Sequence, residues 1–184
     1  LQVSFIGFEG ASSILPGSTW NPADKTSGIA LSSSDAVATS ILDANQGVRG
    51  TVGRSSGVYY VEFRLISGAA IDSIGLARST LDLSSSAFAS GFVGVWLGAG
   101  YTTVDGSPVT PVLPPADGDI IGVSWSGTTV QMYRNGSVYG TAMSYSAGAN
   151  LFPMIGTAFS GASVRLESAA TSQTYRPSGA TAWG

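Results

Sequence analysis

Apolar and polar positions alternate with a period of two along much of this chain. In Tyr59-Tyr60-Val61-Glu62-Phe63-Arg64-Leu65 every odd position is apolar or aromatic, and Tyr60, Glu62 and Arg64 share the other face. Successive side chains of a strand point to opposite faces, so this segment predicts a half-buried β-strand. Ile74 and Leu76 alternate with Gly75 and Ala77 in a shorter one. Ile121, Val123 and Trp125 form one face of a further strand, and Val130 and Met132 one face of its partner. Val164 and Leu166 repeat the pattern near the end.

Turn signals separate these runs. Asn135-Gly136 favours a type I′ hairpin turn, in which both central residues need a positive φ. Ser126-Gly127 suits the preceding hairpin, and Asp105-Gly106 and Asp117-Gly118 mark other reversals. Helical patterning is thin: Asp35 to Asn45 predicts at most a turn or two, with Val37, Ile41 and Leu42 on one side. Pro108 to Pro115 holds four prolines and is expected to be a loop or an edge segment. The tail from Ser168 is rich in Ser, Thr and Ala and carries Pro177 and Trp183. Short strands with regular turn punctuation, without a repeat or a linker, indicate a β-sandwich.

Composition narrows the function. A chain of 184 residues suits one domain over 1–184, large enough to bury roughly 70% of its unfolded surface. There is no Cys and no His, so disulfides, thiol chemistry, a Ser-His-Asp triad and Cys- or His-ligated metals are excluded. The net charge is −3, with eight scattered basic residues of which only Lys25 is a lysine. That is no footprint for nucleic acid. The surface draws its polarity from 29 Ser and 15 Thr rather than from charge. No apolar run approaches the ~20 residues that span a bilayer, so membrane insertion is not expected. The chain opens on Leu1 without a signal-peptide pattern and is expected to be a processed product or a fragment.

The ordered motifs resemble the SPRY/B30.2 family. "SGVYYVEFRL" (56–65) resembles the strand that opens the core of these domains, and "SIGLARSTLDL" (73–83) the next one. "GFVGVWLGAGYTTVDG" (91–106) resembles the aromatic, Gly-rich segment that follows. "GDIIGVSWSGTTVQMYRNG" (118–136) resembles the Gly-Asp strand, the hairpin and the aromatic-x-Asn-Gly turn, and "LFPMIGTAFSGASVRLE" (151–167) the closing strand pair. The resemblance covers 56–167, with 20–53 as a divergent front and 1–19 and 168–184 as peripheral segments. It implies an all-β fold: a bent two-sheet antiparallel β-sandwich of the concanavalin-like, jelly-roll type. It also implies that function sits in the loops. Peptide-binding members use loops at one edge. Carried over by motif, that edge comprises Tyr101, Thr102, Thr103 and Asp105, Phe159 on the closing strand, and bordering Arg78. This chain has Thr103 and Val104 where such members place an aromatic before Asp-Gly, so no known ligand is borrowed.

Candidate chemistry rests on eleven carboxylates. Concanavalin-like glycosidases pair carboxylates about 5 Å apart in the retaining case. Only Asp117 and Asp119 have the i, i+2 spacing, and the intervening Gly118 reads as a turn followed by a strand start. Calcium needs six or more oxygens, to which Asp117, Asp119, loop carbonyls and Asp105 could contribute; nothing in the sequence makes them converge, and no metal or other cofactor is assigned. Glu62 and Arg64 read as a polar network or as surface. Trp125 reads as core, Trp20 and Trp183 as pins near the ends, and Trp96 as core or as a loop platform. Exposed aromatics anchor sugars or peptides, and Trp96 and Tyr101 are placed for that.

The reading is a non-catalytic binding or structural module, with a phage or viral particle surface (tail fibre, spike or capsid) as its expected home. The paucity of charge, Cys and His motivates it, with a closing "YRPSGATAW" that resembles the ends of phage-encoded relatives. The expected partner is a host-surface glycan or protein, or a neighbouring virion subunit in an oligomer. Two rivals stay open: a cytoplasmic SPRY-type module that binds a short peptide, and a glycan-active enzyme.

Overall fold

The structure is a computed structural model and describes residues 17–68, 71–85, 90–146 and 148–184. The described residues form sixteen strands and no helix. In chain order these are β1 (Trp20–Lys25), β2 (Ile29–Ser32), β3 (Val37–Ser40), β4 (Gln46–Gly50), β5 (Tyr59–Ser67), β6 (Ile71–Arg78), β7 (Phe92–Trp96) and β8 (Tyr101–Val104). There follow β9 (Ser107–Pro111), β10 (Ile120–Trp125), β11 (Thr129–Arg134), β12 (Ser137–Val138), β13 (Met143–Ser144), β14 (Leu151–Thr157), β15 (Ser163–Glu167) and β16 (Thr181–Ala182). One sheet runs β1-β4-β14-β6-β7-β8-β9. The other runs β12-β11-β10-β5-β15-β3-β2, with β13 on β11 and the short β16 parallel to the start of β5. All other pairings are antiparallel, as the sandwich reading requires.

The alternating positions meet in one interior. Val61, Phe63 and Leu65, Ile121, Val123 and Trp125, Val130 and Met132, and Val164 and Leu166 all face inward from one sheet. Ile74, Leu76, Val93, Val95, Leu151 and Ile155 face them from the other. Trp20 is fully buried and packs its ring 6.1 Å from that of Phe63. Burying each such aliphatic side chain is worth about 1.5–3 kcal/mol, which is why the two-residue period dominates the fold. Asn135 and Gly136 both adopt positive φ, 51° and 80°, as the hairpin between β11 and β12 demands. The proline-rich segment supplies β9 at the edge of its sheet, where a missing N–H costs no ladder bond.

One expectation is corrected. Asp35 to Asn45 carries no helix. Ser33, Ser34 and Asp35 turn with positive φ, and Val37–Ser40 then pairs with both β2 and β15. Ile41 and Leu42 stay exposed, so no apolar helical face forms with Val37. Tertiary pairing has overridden a weak local pattern. The outer face of β5, read as a polar network or as surface, is covered by residues 168–184. Tyr60 and Glu62 are buried there, at 1% and 0% exposure.

Glu62 explains how that face tolerates a charge. Its carboxylate accepts the backbone N–H of Thr174 (2.7 Å) and of Tyr175 (2.6 Å), and Gln173 Nε2 donates to the Tyr60 carbonyl (2.7 Å). Burial first, and then the Glu62 charge, keeps the Tyr60 phenol protonated far above its usual range. A Cβ on Gly122 would collide with the Tyr60 hydroxyl, so the adjacent strand needs glycine there. Trp183 is fully buried, donates Nε1–H to the Val52 carbonyl (2.8 Å), and has its own carbonyl held by Arg54 (2.7 and 3.0 Å). The polar-network reading of Glu62 and the pin reading of Trp20 and Trp183 both fit this packing.

Candidate binding site

The loops that join these strands gather at the two ends of the sandwich, and the sequence-predicted site residues divide between them. Arg78 ends β6, while Asp72 lies six residues earlier near its start. At ~3.3 Å per residue the two lie roughly 20 Å apart.

At the Arg78 end most of the polar groups engage one another, although Arg78 Nε is buried without a hydrogen-bond partner among the described residues. Arg78 Nη2 donates to the Ser146 carbonyl (2.9 Å), and the guanidinium lies 5.4 Å from the centre of the Tyr145 ring. Tyr145 Oη–H points at Asp105 Oδ1 (3.5 Å), which also accepts the Gly91 N–H (2.6 Å). Burial, reinforced by the Asp105 charge, pushes the Tyr145 hydroxyl up to about 12. Asp105 therefore fastens the β8–β9 turn to the start of β7, and Arg78 holds the 146 loop.

Thr102 and Thr103 are buried between these ends. Thr102 Oγ1 accepts the Thr110 N–H (3.1 Å), and Thr103 Oγ1 donates to the Ser107 carbonyl (3.0 Å). Their hydroxyls tie β8 to the edge strand β9 instead of facing solvent.

The opposite end is open. Trp96, half-buried at the end of β7, stands beside its cross-strand neighbour Tyr101, which is exposed. Phe159 is 61% exposed. Asp43 fixes the loop that carries it, accepting both the N–H (2.8 Å) and the hydroxyl (2.7 Å) of Ser160, bonds that lower the Asp43 pKa. At this end lies a cleft of about 220 Å³, lined by Gly68, Ile71, Asp72, Leu97, Pro114, Pro115 and Phe159, with Gly98 on its wall. The Phe159, Trp96 and Tyr101 expectations thus converge on one end, while Arg78 and Asp105 belong to the other.

Asp72 is the residue that sequence reasoning missed. Thr157 of β14 pairs with Ile71 and Gly156 with Ser73, so Asp72 is the extra residue of a β-bulge. Bulges re-aim side chains and recur beside functional sites. This one lets Ile71 and Ile74, three apart, both reach the core, and it leaves Asp72 half-buried at the cleft. The Asp72 carbonyl accepts the Leu97 N–H (2.6 Å), and its Oδ1 accepts Trp96 Nε1–H (3.1 Å). Burial raises the Asp72 pKa, and the Trp96 N–H pulls against that rise. An acidic residue before an apolar strand was the only signal, and alternation alone does not reveal a bulge.

Asp117 and Asp119 do not face each other as a catalytic pair. Asp117 Oδ1 accepts the Gly68 N–H (2.6 Å). Asp119 accepts the Ala116 N–H (2.7 Å), Asn135 Nδ2 (2.6 Å) and the Arg134 guanidinium (2.6 and 2.8 Å). These bonds join the start of β10 to its hairpin, which is the strand-start role read from the Gly-Asp motif. Among the described residues no three acidic side chains converge as a metal site.

No family model matches the chain, and no curated protein matches it by sequence. Solved structures do match. The SPRY domain of human HERC1 is 16% identical with a TM-score of 0.71, over 80% of this chain and 96% of that one. The TRIM65 PSpry domain is 14% identical with a TM-score of 0.65, over 82% and 92%. At such identities the likeness is one of architecture: this chain has the SPRY-type, concanavalin-like β-sandwich fold.

Proposed function

We propose that this chain is a non-catalytic module that binds a protein ligand through the open end of the sandwich formed by Asp72, Trp96, Tyr101, Pro114, Pro115 and Phe159. The observation that carries the reading is the cleft itself. It is a concave site with the exposed Phe159 ring on its rim and a single half-buried carboxylate, held by Trp96, in its wall. Protein-binding hot spots share that anatomy. At about 220 Å³ the cleft suits one anchoring side chain, being smaller than the ~300–1,000 Å³ of small-molecule sites. The SPRY-type architecture supports a protein ligand. The commitment of Asp117 and Asp119 to backbone and Arg134 supports a non-catalytic role. A place on a virion surface, with a glycan or a neighbouring subunit as ligand, draws its support from composition: little charge, abundant Ser and Thr, and no Cys or His.

The test is selection of a displayed random-peptide library on the immobilised domain. Enriched peptides are expected to bind the parent chain and to lose at least tenfold in affinity to Phe159→Ser, an exposed change that leaves the core intact. Absence of enrichment, or peptides indifferent to Phe159→Ser, would overturn the reading.

A further inference from the structure

The cleft contains an anion without a counter-ion. Among the described residues the ion pairs are Arg49–Asp24, Arg64–Glu167, Arg165–Glu167 and Arg134–Asp119; none involves Asp72. Of the remaining basic groups, Lys25 is engaged on the Ile29 carbonyl, Arg54 on the Trp183 carbonyl and Arg78 on the Ser146 carbonyl, and Arg176 is an exposed residue of the 168–184 segment. Among the described residues Trp96 Nε1–H is the one side-chain donor that Asp72 receives, and it orients the carboxylate through Oδ1. The remaining walls come mainly from Ile71, Leu97, Pro114, Pro115 and Phe159. Such apolar walls lower the local dielectric and strengthen a charge pair made against them.

We infer that the Asp72 cleft is a receptor for an arginine side chain of the protein partner. The inference rests on the binding-module reading and specifies the residue that module anchors. Charge complementarity selects a cation, since a half-buried carboxylate without a cationic neighbour is costly until a partner supplies one. The overall charge of −3 favours the approach of a basic segment. The walls select guanidinium over ammonium. A guanidinium is planar and weakly hydrated, and it stacks on aromatic faces such as the exposed Phe159 ring, whereas an ammonium gives up a tighter hydration shell. The cleft volume matches one side chain. A cation that enters favours the charged carboxylate and opposes the rise that burial gives the Asp72 pKa.

The experiment uses the full chain and three blocked peptides, N-acetyl-Gly-Xaa-Gly-amide with arginine, lysine or citrulline as Xaa, followed by amide chemical-shift titration. Citrulline keeps the shape of arginine and lacks its charge. The arginine peptide is expected to shift the amides of Gly68, Leu97 and Gly98 saturably. The lysine peptide should bind more weakly, and citrulline at least tenfold more weakly. Asp72→Asn keeps an oxygen for Trp96 and removes the charge, so it should cost the arginine peptide at least tenfold; the exposed Phe159→Ser should weaken it with the fold intact. Three results would overturn the inference: no saturable shift at the cleft, equal binding of citrulline, or indifference to Asp72→Asn. Library-selected peptides that depend on Phe159 but lack a basic residue and ignore Asp72→Asn would sink the arginine receptor and leave the binding-module reading standing. Loss of all Phe159-dependent binding would remove both.

Discussion

Glu62→Gln probes how the C-terminal segment is held. The wild-type side chain is fully buried, and each of its oxygens accepts one backbone N–H, from Thr174 at 2.7 Å and Tyr175 at 2.6 Å. Glutamine supplies one acceptor and places an NH₂ against the other N–H. One charge-assisted bond is lost, and a buried donor is left facing a donor. Bonds to charged groups are worth about 1.5–3 kcal/mol, and a buried unsatisfied group costs about 1–3 kcal/mol. The expected net loss is about 3 kcal/mol, part of which relaxation of the tail recovers. For a chain of this size that is a fall of roughly 6–12 °C in Tm. Thermal and urea unfolding measure the global effect. Hydrogen exchange at the Thr174 and Tyr175 amides measures the local one, and these should lose protection before Val123 in the core does. A loss below about 0.5 kcal/mol, the ordinary range for a surface change, with unaltered exchange would refute the claim that Glu62 clamps the tail.

The other predictions concern the pin and the hairpin. Trp183→Ala should cost about 3–5 kcal/mol in urea unfolding, because the indole is fully buried and bonds the Val52 carbonyl; a cost under about 1 kcal/mol would deny its place in the core. At Asp119, burial raises the pKa, but bonds from Ala116, Asn135 and Arg134 outweigh it, so the net shift is downward from 3.8. The stability Asp119 contributes is therefore fully present above that value and is lost as the pH falls through the lower folded-state pKa. The stability gap between the parent and Asp119→Asn should shrink in urea titrations at successively lower pH. A gap independent of pH would show that the charge does not matter.

The chain's own alternation determined the two layers and most of the core. Phe63, Leu65, Ile121, Val123, Trp125, Val130, Met132, Val164 and Leu166 all sit where a two-residue period puts them, because one dry face per strand is a local, periodic demand. The turn at Asn135-Gly136 was equally legible, since it depends on the φ of two adjacent residues. Tertiary structure alone decided the rest. Whether the outer face of β5 meets water depends on residues more than a hundred positions away, which arrive to satisfy Glu62. Thr102 and Thr103 read as loop-edge candidates until β9 covers them. Arg78 and Phe159 were grouped by motif, yet they stand at opposite ends of the sandwich. The bulge that aims Asp72 into the cleft is a mismatch in pairing between β6 and β14, a property of two strands together. A strand's period is written in its own residues, while its register, its cover and its neighbours arise only when distant segments compete to bury the same surface.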